Sequence, residues 1–395
     1  MNQPLEKTQR EQKGLSLDDV PVFAFRTCHK ALEARNGVAL AQGTSETLLT
    51  RLENSLKTLD ENGAIVGALP FHYDTQPDSL WAADMVVSTP DKCPQVVDAV
   101  ANWTVREDPP AAQYAKAVSV ALEYLNDNQD DPEALTKIVL ARSIQAQCDQ
   151  TIDLQNLFER LASDPSVNVF QVALPPRDQS ARYMIGATPE LLVSKTGGRI
   201  SSHPLAGSAQ RQGNLAHDSA VASQLSRSRK DRHEHAIVVE YILDVLAPWC
   251  KSLKRPDGMT LSSTRNMWHL GTWIEGVLRD PDVPVPVLAA ALHPTPAVCG
   301  WPKKRAGDTI TGLEPFKRDF FTGAVGWCEA NGDGEWYITL RCAEITDKTA
   351  RLYAGAGIVP GSDPWSEVAE TGAKMGAMMG ALNISNDISK FRDVK

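Results

Sequence analysis

Residues 323–359 read GAVGWCEANGDGEWYITLRCAEITDKTARLYAGAGIV. Apolar stretches alternate there with the turn-forming runs NGDG and TDKTA. A parallel strand pair needs a crossover of roughly a dozen residues or more. These connections are far shorter, so the segment is expected to be an antiparallel three-strand meander. The same grammar recurs upstream. KIVLARSIQ (137–145) alternates like a strand. SVNVFQVALP (166–175) and RYMIGATPELLVSKTGGRISSHPLAGS (182–208) read as strand, turn, strand, with Gly197-Gly198 marking a hairpin. A charged, amphipathic stretch occupies 112–135, and helical patterns occupy 215–247 and the stretch after GSDP at 361–364. Strands that come in antiparallel runs with helices between them predict an α+β fold, not a doubly wound sheet.

Length alone, at 395 residues, fits two or three domains or one large one. Apolar content of 42% supplies an ample core, and no stretch has the length of a membrane span. The opening MNQPLEKTQREQKG has no apolar leader core, so a loose tail over 1–18 and a cytosolic location are expected. A net charge of −9 disfavours nucleic acid and anionic membrane as partners, so an anionic substrate would need local cations. The seven cysteines are scattered without CxxC or His/Cys clustering, as in a cytosolic protein with reduced thiols.

KDRHEHAIVVEYIL (230–243) sets charged groups in front of an apolar run. On a helix Asp231 and Glu234 share a face, and Glu234 continues it through Val238, Ile242 and Val245. A carboxylate on an apolar stripe is costly unless a cation meets it. The plainer reading is a helix start with acids on its dipole and histidines in solvent. GSDPWSEVAETGAK (361–374) offers a second pair, Glu367 and Glu370, on a helix with Asp363 as N-cap and Pro364 in its first turn. Lys374 follows on the face of Glu370. If the two helices face each other, the acids make an all-oxygen cage suited to Mg²⁺, and the histidines lack the spacing for zinc.

Lys137, taken alone, reads as the solvated end of a strand, and Glu190 as a surface residue at a strand bend after a proline. HPLAGS (203–208) reads as a glycine turn able to bring backbone N–H groups to an anion. LHPTPAVCGWP (292–302) is a rigid loop, either a pocket wall or a connector. AGAGIVPG (354–361) lacks dinucleotide-fingerprint spacing and lies in the meander.

KIVLAR, GATPELLV, PLAGS, KDRHEH, MWHLGT, LHPTPAVCG, TGAVGW, GEWYITLRCA, AGAGIV and SDPWSEVAET stand in this order. Together they resemble the chorismate-utilising enzymes, most of all isochorismate synthases of the catechol-siderophore type, densely over 130–380 and loosely before. The resemblance implies one catalytic domain over 19–390, with packed antiparallel β-sheets and helices outside. It implies Mg²⁺ held by Glu234 and Glu370 with Asp231 and Glu367 beside them, binding the ring carboxylate of chorismate. Lys137 matches the family's general base and Glu190 its general acid. Arg341, in the expected strand TLRCA, and Lys374 match substrate-carboxylate contacts, and His269 matches a residue near the ring. Ala206, Gly207, Ser208 and Gly355 would line the site.

The implied reaction sends water to C2 of the ring while the C4 hydroxyl leaves, so a base and an acid are both required. A lysine serves as base only where desolvation lowers its pKa, and a glutamate as acid only where burial raises it. Sister enzymes with a covalent amino route carry a lysine where this chain has Ala206, which closes that route. The tryptophan-binding motif usual in anthranilate synthases is not evident near the N-terminus. Salicylate synthases tend to have threonine at the position of Ala297 and tyrosine at that of Phe321, so these two residues point to an enzyme that stops at isochorismate. Salicylate synthase, a menaquinone-pathway enzyme and a silent chorismate-binding protein are the competing readings. A downstream isochorismatase or pyruvate lyase would consume the product.

Overall fold

The computed structural model describes residues 20–90, 96, 101–127, 131 and 133–384. The tail expected over 1–18 lies outside the described residues. Seventeen of the described strands join in one antiparallel hydrogen-bonded network, and Leu205–Gln210, Met267–Thr272 and Met259–Ser263 form a small separate sheet. The α+β architecture expected from the turn spacing is the one found. Among the described residues no helix is long and apolar enough to cross a membrane.

The longest ladder runs between Lys137–Cys148 and Thr349–Ile358, from Ile138 opposite Ile358 to Gln147 opposite Thr349. Helix Pro364–Ala381 packs on this pair. Arg142 fastens it there by donating to Thr371 Oγ1 at 2.9 Å and to Val368 O at 3.3 Å. Met375, Met378 and Met379 bury its apolar side against Ile144 and Leu352. The hairpin at Gly197-Gly198 forms as expected, with Thr196 opposite Arg199 and Gly197 at φ +56°.

Three local readings are corrected. The meander has four strands, because EWYITLRCAE divides into Gly334–Ile338 and Cys342–Thr346. Arg341 therefore lies in a break between strands, at φ +48°, and not within one. The helical stretch 215–247 is two helices, Leu215–Arg227 and Arg229–Leu246, parted at Ser228. HPLAGS is not a turn: Leu205–Gln210 is a strand whose register against Met267–Thr272 shifts between Leu205 and Ser208. Such a bulge re-aims backbone groups as a turn would.

Candidate active site

Ser228 ends one helix and caps the next, its side chain accepting from Asp231 N at 3.2 Å. Val238, Val239 and Ile242 carry helix Arg229–Leu246 into the core. Glu234, one turn before Val238, is thereby buried at 8% exposure. Helix Pro364–Ala381 starts as its sequence predicts, with the Asp363 side chain accepting from Ser366 N at 2.8 Å. Strand Leu205–Gln210 packs against both helices. Ser208 Oγ donates to Glu370 Oε1 at 3.0 Å. Gly207, at φ +80°, lies so close that an added Cβ would stand 3.0 Å from Asp231 Cβ. At Gly357 a Cβ would stand 2.3 Å from Glu234 Oε1. The backbone is bare where the carboxylates come in.

One cavity is lined by Asp231, Glu234, Glu370, Glu190, Arg341 and Lys374. Ala206, Gly207, Ser208, His269, Ala297, Phe321 and Gly355 complete its walls. Two sequence-named residues stand behind this lining. Lys137, expected at a solvated strand end if read alone, is fully buried, its Nζ 3.0 Å from Glu234 Oε1. That contact lies off the hydrogen-bond direction, so the group is ion-paired by proximity and has no aligned acceptor among the described residues. Glu367 turns aside to Lys230 Nζ at 3.2 Å. Glu190, the other residue that reads alone as surface, is 3% exposed.

Charge is arranged unevenly around the cavity. Burial pushes the Glu190 carboxyl up to about 7, although a backbone hydrogen bond from Leu205 and the cations Lys137, Arg341 and Lys374 pull it down. Glu370 is held below its ordinary value: burial raises it, but the Lys374 ion pair at 2.6 Å and the Ser208 hydrogen bond outweigh that. Burial drives His269 well down, helped by Arg341 and Lys374, and its Nε2 is without a hydrogen-bond partner among the described residues. Burial lowers Arg341 to about 10 against the attraction of Glu370 and Glu190. Its guanidinium makes no hydrogen bond or ion pair with the described residues. A cation of this kind in a cavity wall is a ready receptor for a carboxylate. Its left-handed backbone is the kind of strain that persists where function holds it.

The expected cage is only partly realised. Among the described residues, no three His, Cys, Asp or Glu side chains gather as a metal site. Three of the four acids each face a lysine instead: Glu234 with Lys137, Glu370 with Lys374 and Glu367 with Lys230. The donor set nevertheless fits a hard divalent cation, being all carboxylate oxygen. Mutual repulsion also fits: burial first, then the charge of Glu234, raises Asp231, and burial and then Glu370 raise Glu367.

Sequence reasoning missed several residues. Lys230 lines the cavity and sits one helical turn before Glu234, an i,i+4 relation that was legible. Tyr353 and Thr322 line it too, with Tyr353 stacked on Phe321 at 4.8 Å, and no spacing rule signals either. Of the two histidines expected in solvent, His233 is exposed but His235 is buried. Its Nε2 lies 2.7 Å from Thr272 Oγ1, and burial, with the Lys137 charge, lowers it to about 4.

The family described as "Chorismate binding enzyme" matches residues 71–383. The isochorismate synthase DhbC of Bacillus subtilis (strain 168) is 39% identical over 361 residues, spanning 87% of this chain and 88% of that protein. Among solved structures, a crystal structure of a putative 2,3-dihydroxybenzoate-specific isochorismate synthase, DhbC from Bacillus anthracis, superposes with a TM-score of 0.84. The two share 37% identity, and the superposition covers 92% of this chain and 96% of that one. Anthranilate synthase component I from Streptococcus pneumoniae TIGR4 superposes at 0.72 with 20% identity, covering 94% and 95%, a likeness of fold alone. The matched span takes in both acidic helices, the Arg341 break and the strand of Lys137, and on that extent this chain belongs to the chorismate-binding enzyme family.

Proposed function

We propose that this chain is an isochorismate synthase, an isomerase that converts chorismate to isochorismate, with residues 19–390 as its catalytic unit and the cytosol as its location. The observation that carries the reading is one cavity holding Glu190, its carboxyl pushed up to about 7 by burial, beside Arg341, which has no hydrogen-bond or ion-pair partner among the described residues. Arg341 and Lys374 bind substrate carboxylates. Lys137, acting as the neutral amine, takes a proton from the water that adds at C2 and becomes the ammonium. Glu190 gives a proton to the C4 hydroxyl, which leaves as water while the ring double bond shifts. One water enters and one departs, so the reaction is an isomerisation with no redox change. His269, Ala206, Gly207, Ser208, Gly355, Ala297 and Phe321 shape the ring's surroundings. Glu234 and Glu370, with Asp231 and Glu367 beside them, would hold Mg²⁺. The chemistry a bound Mg²⁺ supplies is neutralisation and orientation of a dianionic substrate.

The siderophore branch is the pathway we favour, because two curated relatives are DhbC and a vibriobactin-specific isochorismate synthase of Vibrio cholerae. The product is then passed to an isochorismatase or a pyruvate lyase. The test is a product assay with purified protein, chorismate and Mg²⁺. Isochorismate alone is expected. Salicylate with pyruvate would transfer the chain to the lyase branch and overturn the reading of Ala297 and Phe321. Chorismate-induced thermal stabilisation without any product would mark a silent binder.

Glu234→Ala should abolish both turnover and the response to Mg²⁺. Calorimetric titration of the metal into the protein checks this without turnover. Mg²⁺ binding at wild-type strength in the variant would remove Glu234 from the ligand set.

A further inference from the structure

The strand that presents Lys137 has an incomplete edge. Thr349–Ile358 covers one side continuously from Ile138 to Gln147. On the other side Gly300–Trp301 pairs with residues 137–138, and Trp103–Asp108 pairs with 143–148. Between these pieces Val139 N–H reaches Cys299 O at 2.8 Å, which leaves Val139 O and Ala141 N–H facing no strand. Buried backbone groups of this kind need partners.

Two side chains supply them. Arg318 Nη2 donates to Val139 O at 2.7 Å, and Ala141 N donates to Glu314 Oε1 at 2.7 Å. The two side chains grip each other through both prongs, Nε to Oε2 at 2.9 Å and Nη2 to Oε1 at 2.5 Å. Arg318 Nη1 donates onward to Val298 O at 2.7 Å and to Thr322 Oγ1 at 3.3 Å. The guanidinium also lies 4.4 Å from the ring centroid of Phe71 and 5.9 Å from that of Phe321. Arg318 is 3% and Glu314 9% exposed, and neither lines the cavity. Every group that Nη1 and Nη2 hold outside the pair belongs to a cavity-lining residue: Val139, Val298 and Thr322.

We propose that the Arg318–Glu314 pair is a positioning device for this active site, a side-chain substitute for a missing strand segment that fixes the Lys137 strand against the walls at Val298 and Thr322. This rests on the isochorismate synthase reading for its kinetic consequence. A buried ion pair is weak as a source of net stability, because desolvating both charges offsets their attraction. A planar five-donor fork is strong as a geometric constraint, and lysine cannot reproduce it. Misplacement by about 1 Å at a distance from the chemistry can lower a rate about 100-fold.

The experiment is R318K, followed by steady-state kinetics with chorismate and by amide hydrogen exchange. The expected result is a kcat lowered about 10- to 100-fold with KM for chorismate within about 3-fold. Exchange at Ala141 should rise while the hairpin Leu191–His203 keeps its protection. Unchanged kcat despite faster exchange at Ala141 would make the pair structural only, and a loss confined to KM would make it part of substrate binding; either overturns the proposal. Should R318K fail to fold, Glu314→Gln breaks the two-pronged ion pair while keeping an acceptor for Ala141, and it is read by the kcat and KM criteria alone. If the wild-type protein makes no isochorismate, the functional reading fails by itself. Exchange at Ala141 then decides the positioning claim, and no rise in the variant overturns it.

Discussion

Lys137→Ala is expected to lower kcat for chorismate isomerisation by about 10³-fold, within the range that one positioned proton-transfer group contributes. The fold should survive. The ammonium is fully buried, so the substitution leaves a cavity and takes from Glu234 the cation beside it. Together these cost on the order of 2–4 kcal/mol, which a large domain with Mg²⁺ present can absorb. Circular dichroism and thermal melting check the fold. Chorismate affinity should change little, because Arg341 and Lys374 line the cavity and Lys137 does not. Adding a small primary alkylamine should restore part of the lost rate, since the vacated volume lies beside the cavity. Wild-type turnover in a folded variant would remove Lys137 from the mechanism. A folded, inactive variant that amine fails to rescue but that no longer binds chorismate would recast it as a binding residue.

Lys137 also shows where sequence reading reaches its limit. A lysine at the head of an alternating strand is ordinarily the solvated end. Its burial comes from Gly300 and Trp301 on one edge and Ile358 on the other, neighbours some 160 to 220 positions away in the chain. No local pattern encodes such a pairing. Only the ordered set of motifs marked Lys137 and Glu190, through the resemblance they carry. Glu234 was different. A carboxylate continuing an apolar stripe conflicts with local rules, and such conflicts mark functional places. The helix caps at Asp363 and the Gly197-Gly198 hairpin were equally legible, because their chemistry is local. Arg341 was named on its motif but misplaced, since nothing in TLRCA announces a left-handed residue between two strands. Arg318 and Glu314 escaped altogether. Their role is to complete a gap in the ladder, and the gap exists only once the strands are assembled.

Glu190→Gln should give the second large effect, and in two opposed directions. A glutamine cannot give a proton to the leaving C4 hydroxyl, so kcat is expected to fall about 10²- to 10⁴-fold. On the proposed mechanism only protonated Glu190 can serve as acid. With its carboxyl at about 7, kcat should fall as pH rises through that value, and the variant's residual rate should lack this limb. Stability should move the other way. The folded carboxyl holds its proton to about 7, whereas the ordinary value is 4.5. Below the ordinary value both states are protonated and burial has no ionisation cost. As pH rises towards 7, the unfolded chain sheds the proton while the folded protein retains it, so wild-type stability declines until the folded group also ionises. That loss amounts to about 3 kcal/mol at most. Glutamine fills nearly the same volume and never ionises. The variant should therefore match the wild type near pH 4 and exceed it at pH 8, a gap readable by denaturant unfolding in metal-free buffer. Equal stability of the two proteins at both pH values would mean that Glu190 is ionised in the folded state at neutrality, and its role as the acid would fall with that result.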